Sequence, residues 1–240
     1  MPDSDSYTIH NSHKLYPDGT QILIEFKTPF KITLNPNKPR KKHEFTLPES
    51  KRRADMRAKT MIKDYAKSNK FDLWMTFTFD PKKVSNRYDL GMCRSIMQRW
   101  MKTQSRKYGT FDYLIVPELC KDGAIHFHAL FGRFNAPLHD SGKVNRGAPV
   151  YNLKNWTYGF TTIQKIPNNP EDYSRITNYL TKYITKDMPH FPGKKRYFAS
   201  SDLKKPIKTV NFGISRIGQL ARYIVRRKLF VLIVIGYASF

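Results

Sequence analysis

The run Ala124-Ile-His-Phe-His-Ala-Leu-Phe131 constrains this chain more than any other stretch. Side chains alternate across a β-strand with period 2, so the imidazoles of His126 and His128 share one face. Ile125, Phe127, Ala129 and Phe131 fill the other face and supply a surface that packs on a core. The pattern therefore demands a sheet that is apolar on one side here and carries two imidazoles aimed at one place on the other. A divalent metal is the natural occupant of that place.

A third donor lies close in sequence. Tyr113–Leu119 reads as a strand and Lys121-Asp122-Gly123 as a turn, which predicts a hairpin into the histidine strand. Pairing would bring Glu118 alongside both imidazoles. Two nitrogens and one carboxylate, with positions left for water or a phosphate oxygen, suit Mn²⁺ or Mg²⁺; the same set also describes a non-haem iron site.

Around this hairpin the spacing of apolar residues predicts further elements. Leu73–Phe79 alternates as a strand, with Leu73, Met75, Phe77 and Phe79 on one face and Trp74, Thr76 and Thr78 on the other. Asp89 caps a helix whose stripe of Leu90, Cys93, Met97, Trp100 and Met101 faces a core. A basic helix begins near Ser50, with Ala54, Ala58, Met61, Ile62 and Tyr65 at helical spacing. Residues 1–20 read as a loose polar arm, followed by short strands over Gln21–Phe26 and Phe30–Leu34. Residues 135–150 read as a loop, with a strand near Tyr158–Ile166 after it. Asn169-Pro170-Glu171-Asp172 is a helix start, and that helix runs to about Lys186 before Pro189 stops it.

This order predicts an α+β fold. A central antiparallel sheet carries helices packed on one face, related to the split βαβ, ferredoxin-like arrangement. The expected organisation is a basic arm with short strands and a helix over 1–69, a main domain over 70–215 and a tail over 216–240. Within the tail, the apolar run Leu229–Ile235 continues to Phe240 as twelve mostly apolar residues, short of the ~18 that span a bilayer. It reads as a final strand or a tail.

Forty-three Lys and Arg against nineteen Asp and Glu give a formal charge of +24. Such an excess calls for a polyanionic partner, of which nucleic acid is the commonest and an anionic membrane surface the competitor. The 14% of aromatic residues adds rings able to stack on unpaired bases. Two cysteines, Cys93 and Cys120, make neither a disulfide framework nor a zinc knuckle, which points to a reducing, cytosolic setting. The polar N-terminus has no apolar stretch of the kind a secretory signal carries.

A second cluster is Tyr179-Leu-Thr-Lys-Tyr-Ile-Thr-Lys186. At about 100° per residue, Ile176, Leu180 and Ile184 centre a buried stripe, with Tyr179 and Tyr183 together at one edge and Arg175, Lys182 and Lys186 beyond them. Both tyrosines can be read as amphipathic rim residues with solvated hydroxyls. They can also be read as two phenol nucleophiles, each with a lysine three residues on to stabilise the phenolate. Joined to the metal cluster, they describe phosphoryl transfer. A phenol attacks a phosphodiester, a 5′-phosphotyrosyl link forms, and the free 3′-hydroxyl is released as a primer.

The sequence resembles the HUH endonucleases, and among them the rolling-circle replication initiators of small single-stranded DNA phages. The resemblance covers roughly residues 70–210. Trp74-Met-Thr-Phe-Thr-Phe79 is similar to the first motif, a strand lining the DNA site. Glu118 with His126-Phe127-His128 is similar to the metal motif. Tyr179-x-x-Lys182-Tyr183-x-x-Lys186 is similar to the two-tyrosine third motif. Arg196-Tyr-Phe-Ala-Ser-Ser-Asp-Leu-Lys-Lys-Pro206 resembles a basic segment that follows it in phage versions. The resemblance implies an HUH/Rep nuclease fold, Mg²⁺ or Mn²⁺ dependence, nicking of one strand at an origin through Tyr179 or Tyr183, and rejoining to release a circle. It implies single-stranded origin DNA as partner and the bacterial host cytoplasm as location, with no small-molecule cofactor and no membrane. The sequence carries no Walker-type Gly-x-x-x-x-Gly-Lys-Ser/Thr, so helicase and polymerase are expected from the host. Thr76, Thr78, Arg175, Lys194, Lys195 and Arg196 are candidate DNA contacts, with solvated basic surface an equal account of the cations.

Three other readings compete. Cupin-type oxygenases place a glutamate soon after His-x-His, whereas Asp140 is the only acid between His128 and Glu171. A non-catalytic nucleic-acid-binding protein explains the charge and leaves both clusters to coincidence. Transposases and relaxases of the same superfamily remain, although one nucleophilic tyrosine is usual in the transposase branch.

Overall fold

The computed structural model describes residues 6–33, 46–167, 169, 171, 173–175, 178, 196–212 and 231–236. The chain forms two compact units, one spanning Thr46–Lys204 and the other Met1–Phe45 with Lys205–Phe240.

The Thr46–Lys204 unit is built on a seven-stranded sheet. Its strands are β3 (Leu73–Phe77), β4 (Asp112–Leu119), β5 (Ile125–Gly132), β6 (His139–Asn145), β7 (Ala148–Asn152), β8 (Thr161–Lys165) and β9 (Phe198–Ala199). They lie in the order β6-β7-β8-β3-β5-β4-β9, and every pair is antiparallel. The expected α+β class and antiparallel sheet are both present.

Two helices cover opposite faces of this sheet, where the sequence reading had them on one. Helix α2 (Leu90–Tyr108) takes the face carrying Leu73, Met75, Phe77, Ile125, Phe127, Ala129 and Phe131. Its buried stripe of Leu90, Cys93, Ile96, Met97, Trp100 and Met101 closes an aromatic core in which Phe77, Trp100, Trp156 and Phe131 meet edge to face or tilted. Asp89 caps it as expected, its side chain accepting from the Gly91 and Met92 amides at 2.7 and 3.3 Å. Helix α1 (Leu47–Ser68) instead buries Ala58, Ile62 and Ala66 against Leu114, Val116 and Leu130, on the histidine face. Amphipathic spacing tells which stripe of a helix is buried, not which side of a sheet receives it. Helix α1 also starts earlier than Ser50. Thr46 and Glu49 form a reciprocal capping box, and Pro48 sits in the first turn where its missing amide hydrogen costs nothing.

Residues 135–150, expected as a loop, contain the β6–β7 hairpin. Its two central turn residues, Arg146 and Gly147, have φ of 53° and 78°, the left-handed values of a type I′ turn. Only the glycine announces that geometry, which is why the composition looked like loop. Gly142, at φ 68°, sits in a bulge between Asp140 and Lys143.

The second unit is a four-stranded sheet in the order β10-β1-β2-β11. Its strands are β1 (Ser6–Leu15), β2 (Gln21–Thr33), β10 (Ile207–Phe212) and β11 (Val231–Gly236). The loose arm expected over residues 1–20 is thus largely strand, and the two short strands after it are one long one. A polar strand with few apolar residues gives periodicity little to detect. The strand reading of the apolar run near the C-terminus holds: β11 pairs with β2 in parallel. Among the described residues no helix is long and apolar enough to cross a membrane.

Gly159 approaches the strand-end carbonyl of Thr78 so closely that a Cβ there would overlap it and lie 2.9 Å from the Asp80 nitrogen. Gly159→Ala is therefore expected to cost about 2–3 kcal/mol through backbone overlap. Gly142→Ala, with open space but a positive φ, is expected to cost about 1 kcal/mol. Denaturant unfolding followed by tryptophan fluorescence tests both, since Trp74, Trp100 and Trp156 all lie in the Thr46–Lys204 unit.

Candidate metal and nucleic-acid site

The site is built on the β4–β5 hairpin, and its turn sets the register. Gly123 donates to the Cys120 carbonyl at 2.8 Å and takes φ 82°, the left-handed residue that closes a three-residue hairpin loop. Asp122 accepts from the Ala124 amide at 3.1 Å and pairs with Arg87 at 2.8 Å, tying the turn to the loop ahead of α2. The outcome pairs Glu118 with His126 and Val116 with His128. All three functional side chains therefore face the α1 side, as the alternation requires.

Pro117 is compatible with this strand because of where its nitrogen points. Tyr113 exchanges bonds with Ser200 on the outer side of β4, and four residues on Pro117 faces the same side. There the β9 ladder has already ended at Ile115, so no sheet bond is lost.

His128 is held on three sides. Its Nε2 lies 2.5 Å from Glu118 Oε2, its Nδ1 lies 3.1 Å from Thr76 Oγ1, and its ring stacks on Trp74 with centroids 5.5 Å apart and planes 20° from parallel. Glu118 thus reaches diagonally across the ladder rather than to His126 directly opposite, which long side chains on neighbouring strands can do. His126 is half-buried. Burial pushes its pKa down, with the neighbouring His128 acting in the same direction and Glu118 and Asp122 opposing. That keeps the imidazole neutral, the form with a lone pair to give.

Among the described residues no group of three His, Cys, Asp or Glu side chains is gathered closely enough to hold a metal ion. Glu118 and His128 meet, and His126 stands beside them on the same face. The donor types and their common face fit a divalent cation with open coordination positions. Glu118, His126 and His128 are the residues that would hold it.

The other expected site residues fall into three groups. Thr76 bonds His128, and Thr78 uses its hydroxyl to bridge Phe160, donating to the carbonyl and accepting from the amide, both at 3.1 Å. Arg196 is buried and paired with Asp55 of α1 at 2.5 Å. Arg175 is exposed on the helical residues that follow Asn169. Tyr179, Lys182, Tyr183, Lys186, Lys194 and Lys195 lie outside the described residues. The segment leading to the two tyrosines does start on the histidine face. Tyr173 packs, as Trp74 does, against the apolar cluster that includes Leu130, and it donates its hydroxyl to the Asn69 carbonyl at 2.7 Å. Burial raises the Tyr173 pKa, so this phenol is an anchor and not a nucleophile.

Sequence reasoning put Trp74 on the strand lining the site without giving it a role, and missed Arg87. Trp74 was legible, being two residues from Thr76 on the same strand face. Arg87 was not, since nothing local links it to a turn 35 residues on.

The clamp on His128 can be tested without any ligand. Thr76→Val is expected to shift the tautomer balance of His128 in ¹⁵N-detected NMR, whereas Thr76→Ser restores the wild-type pattern. Identical spectra for all three proteins would exclude the role of the hydroxyl.

The sequence model for the family described as Replication-associated protein ORF2/G2P matches residues 72–188, from the start of β3 through the tyrosine-bearing segment. No curated protein and no solved structure matches the chain. The expected resemblance to replication initiators is met by this match: over residues 72–188 the chain is similar to the replication-associated ORF2/G2P proteins.

Proposed function

We propose that this replication-associated protein nicks single-stranded DNA at a replication origin and later rejoins the ends. The observation that carries the reading is the meeting of Glu118 and His128 at 2.5 Å, with His126 on the same sheet face, in a chain of charge +24. A bound Mg²⁺ or Mn²⁺ would supply Lewis-acid stabilisation of charge on the phosphate and the departing oxygen. The chain supplies the rest. Glu118, His126 and His128 offer the donors, and Thr76 and Trp74 keep the His128 ring oriented. Tyr179 or Tyr183 attacks phosphorus, so that a bond from Oη to phosphorus forms while the bond from phosphorus to the 3′-oxygen breaks. The 3′-oxygen leaves as a hydroxyl, free to prime synthesis by a host polymerase. Lys182 and Lys186 would stabilise the phenolates. Because the phosphotyrosyl ester keeps the energy of the broken bond, the step reverses, and the second tyrosine can cut again as the first link is resealed. Exposed cations such as Arg175 suit the phosphate backbone, and a host helicase in the bacterial cytoplasm would open the duplex.

Incubation with labelled single-stranded DNA and Mn²⁺, resolved on a denaturing gel, is expected to yield a covalent adduct. Tyr179→Phe combined with Tyr183→Phe should abolish the adduct while leaving DNA binding in place. His128→Ala should slow cleavage at least ~100-fold, as loss of several kcal/mol of charge stabilisation requires. Normal nicking by either variant would end the proposal.

A further inference from the structure

The β6–β7 hairpin bends over the histidine face. Gly142 and the bulge around it carry the bend, stabilised by Ser141 Oγ donating to the Val150 carbonyl at 2.6 Å and by the Gly142 amide donating to Asp140 at 2.8 Å. Beyond the bulge β7 pairs with β8 only at Tyr151 and Ile163, so the distal half stands off the main ladder. Its tip returns to the sheet through Gln164, whose Nε2 donates to the Asn145 carbonyl at 3.0 Å while Asn145 Nδ2 donates to Gln164 Oε1 at 3.4 Å. Ile163 is buried in the α2-side core, so Gln164 lies on the opposite, histidine face, and it pairs with Trp74, the ring stacked on His128. From β8 to β5 is two strand spacings, about 10 Å.

What the tip presents is cationic. Residues 141–149 contain Lys143 and Arg146 and no acid, and both cations are exposed together with Val144. Arg146 holds φ 53°, a backbone state that glycine or asparagine would occupy at less cost. A strained position kept by a long cation points to a use for its side chain. We propose that this hairpin tip is a second DNA-contact surface. Lys143 and Arg146 grip phosphates of the single strand a few nucleotides from the bond at the Glu118/His128 site, an inference that rests on the DNA reading above.

The test uses the full chain, without metal, binding a labelled single-stranded oligonucleotide by fluorescence anisotropy across a salt series. The variant is Lys143→Gln with Arg146→Gly, the latter compatible with the turn's positive φ. Losing two phosphate contacts makes the salt slope shallower by about 1.4, equal to about sevenfold less affinity lost between about 50 and 200 mM salt. Lys102→Gln with Arg106→Gln on exposed positions of α2, across the sheet, removes the same charge as a control. A shallower slope in the hairpin variant alone supports the proposal. An unchanged slope, an equal change in both variants, or absence of binding by the wild-type chain overturns it. Binding that follows the hairpin without any covalent adduct would retain this surface and remove the nicking mechanism.

Discussion

The register of the β4–β5 hairpin is the constraint on which the rest depends. Because side chains alternate with period 2, a slip of one residue would turn His126 and His128 into the aromatic core and Phe127 and Phe131 out to the other face. Two independent devices hold the register. Gly123 supplies the left-handed residue that fixes loop length, and Arg87 grips Asp122 at the turn from another part of the chain. The apolar face adds the largest penalty against slippage, since Ile125, Phe127, Ala129 and Phe131 are all essentially inaccessible to solvent. Burial of four such side chains outweighs any single hydrogen bond in the hairpin.

The two faces of this sheet divide the work. The α2 face is dry and ring-rich, with Phe77, Trp100 and Trp156 interlocked by edge-to-face contacts worth about 0.5–1.5 kcal/mol each beyond their burial. A rigid backing lets the opposite face carry polar groups in fixed positions. There the ladder sets Thr76 beside His128 and Glu118 beside His126, so three adjacent strands contribute to one cluster. Groups delivered by a packed sheet are held more tightly than groups delivered by loops, and His128, with partners on both nitrogens and one ring face, has little freedom left.

How much of this was legible in the sequence varied with the physical signal. Strands β3, β4 and β5, helix α2 with its Asp89 cap, and the hairpin turn at Gly123 were all readable, because each couples a clear period to a residue with one conformational purpose. The β1 strand was not readable, since its polar side chains lack the alternation that periodicity detects. Nor was the β6–β7 turn, where an arginine occupies a left-handed position. At the site, Glu118, His126 and His128 could be placed on one face from alternation alone. That Glu118 would choose His128 over the residue opposite it could not, because side-chain reach across a ladder depends on rotamers and neighbours. Thr76 was expected on this face, and the contact of its hydroxyl with the His128 ring was not foreseen.

The same geometry sorts the chain's large positive charge into working and structural parts. Arg196 and Arg133 look alike in sequence to any other exposed cation, yet one is buried against Asp55 and the other is bidentate on Asp112 at 2.8 and 2.9 Å. A guanidinium already desolvated and paired gains little from a phosphate, because the new contact must first break the old one. Cations that stand in solvent gain more, through release of the counterions condensed on DNA. Charge excess therefore argues for a nucleic-acid partner, whereas the pairing of each cation decides which of them meets it. By that criterion the contact surface we propose lies where cations are exposed beside the histidine face, whereas buried Arg196 belongs to the scaffold that holds the face in shape.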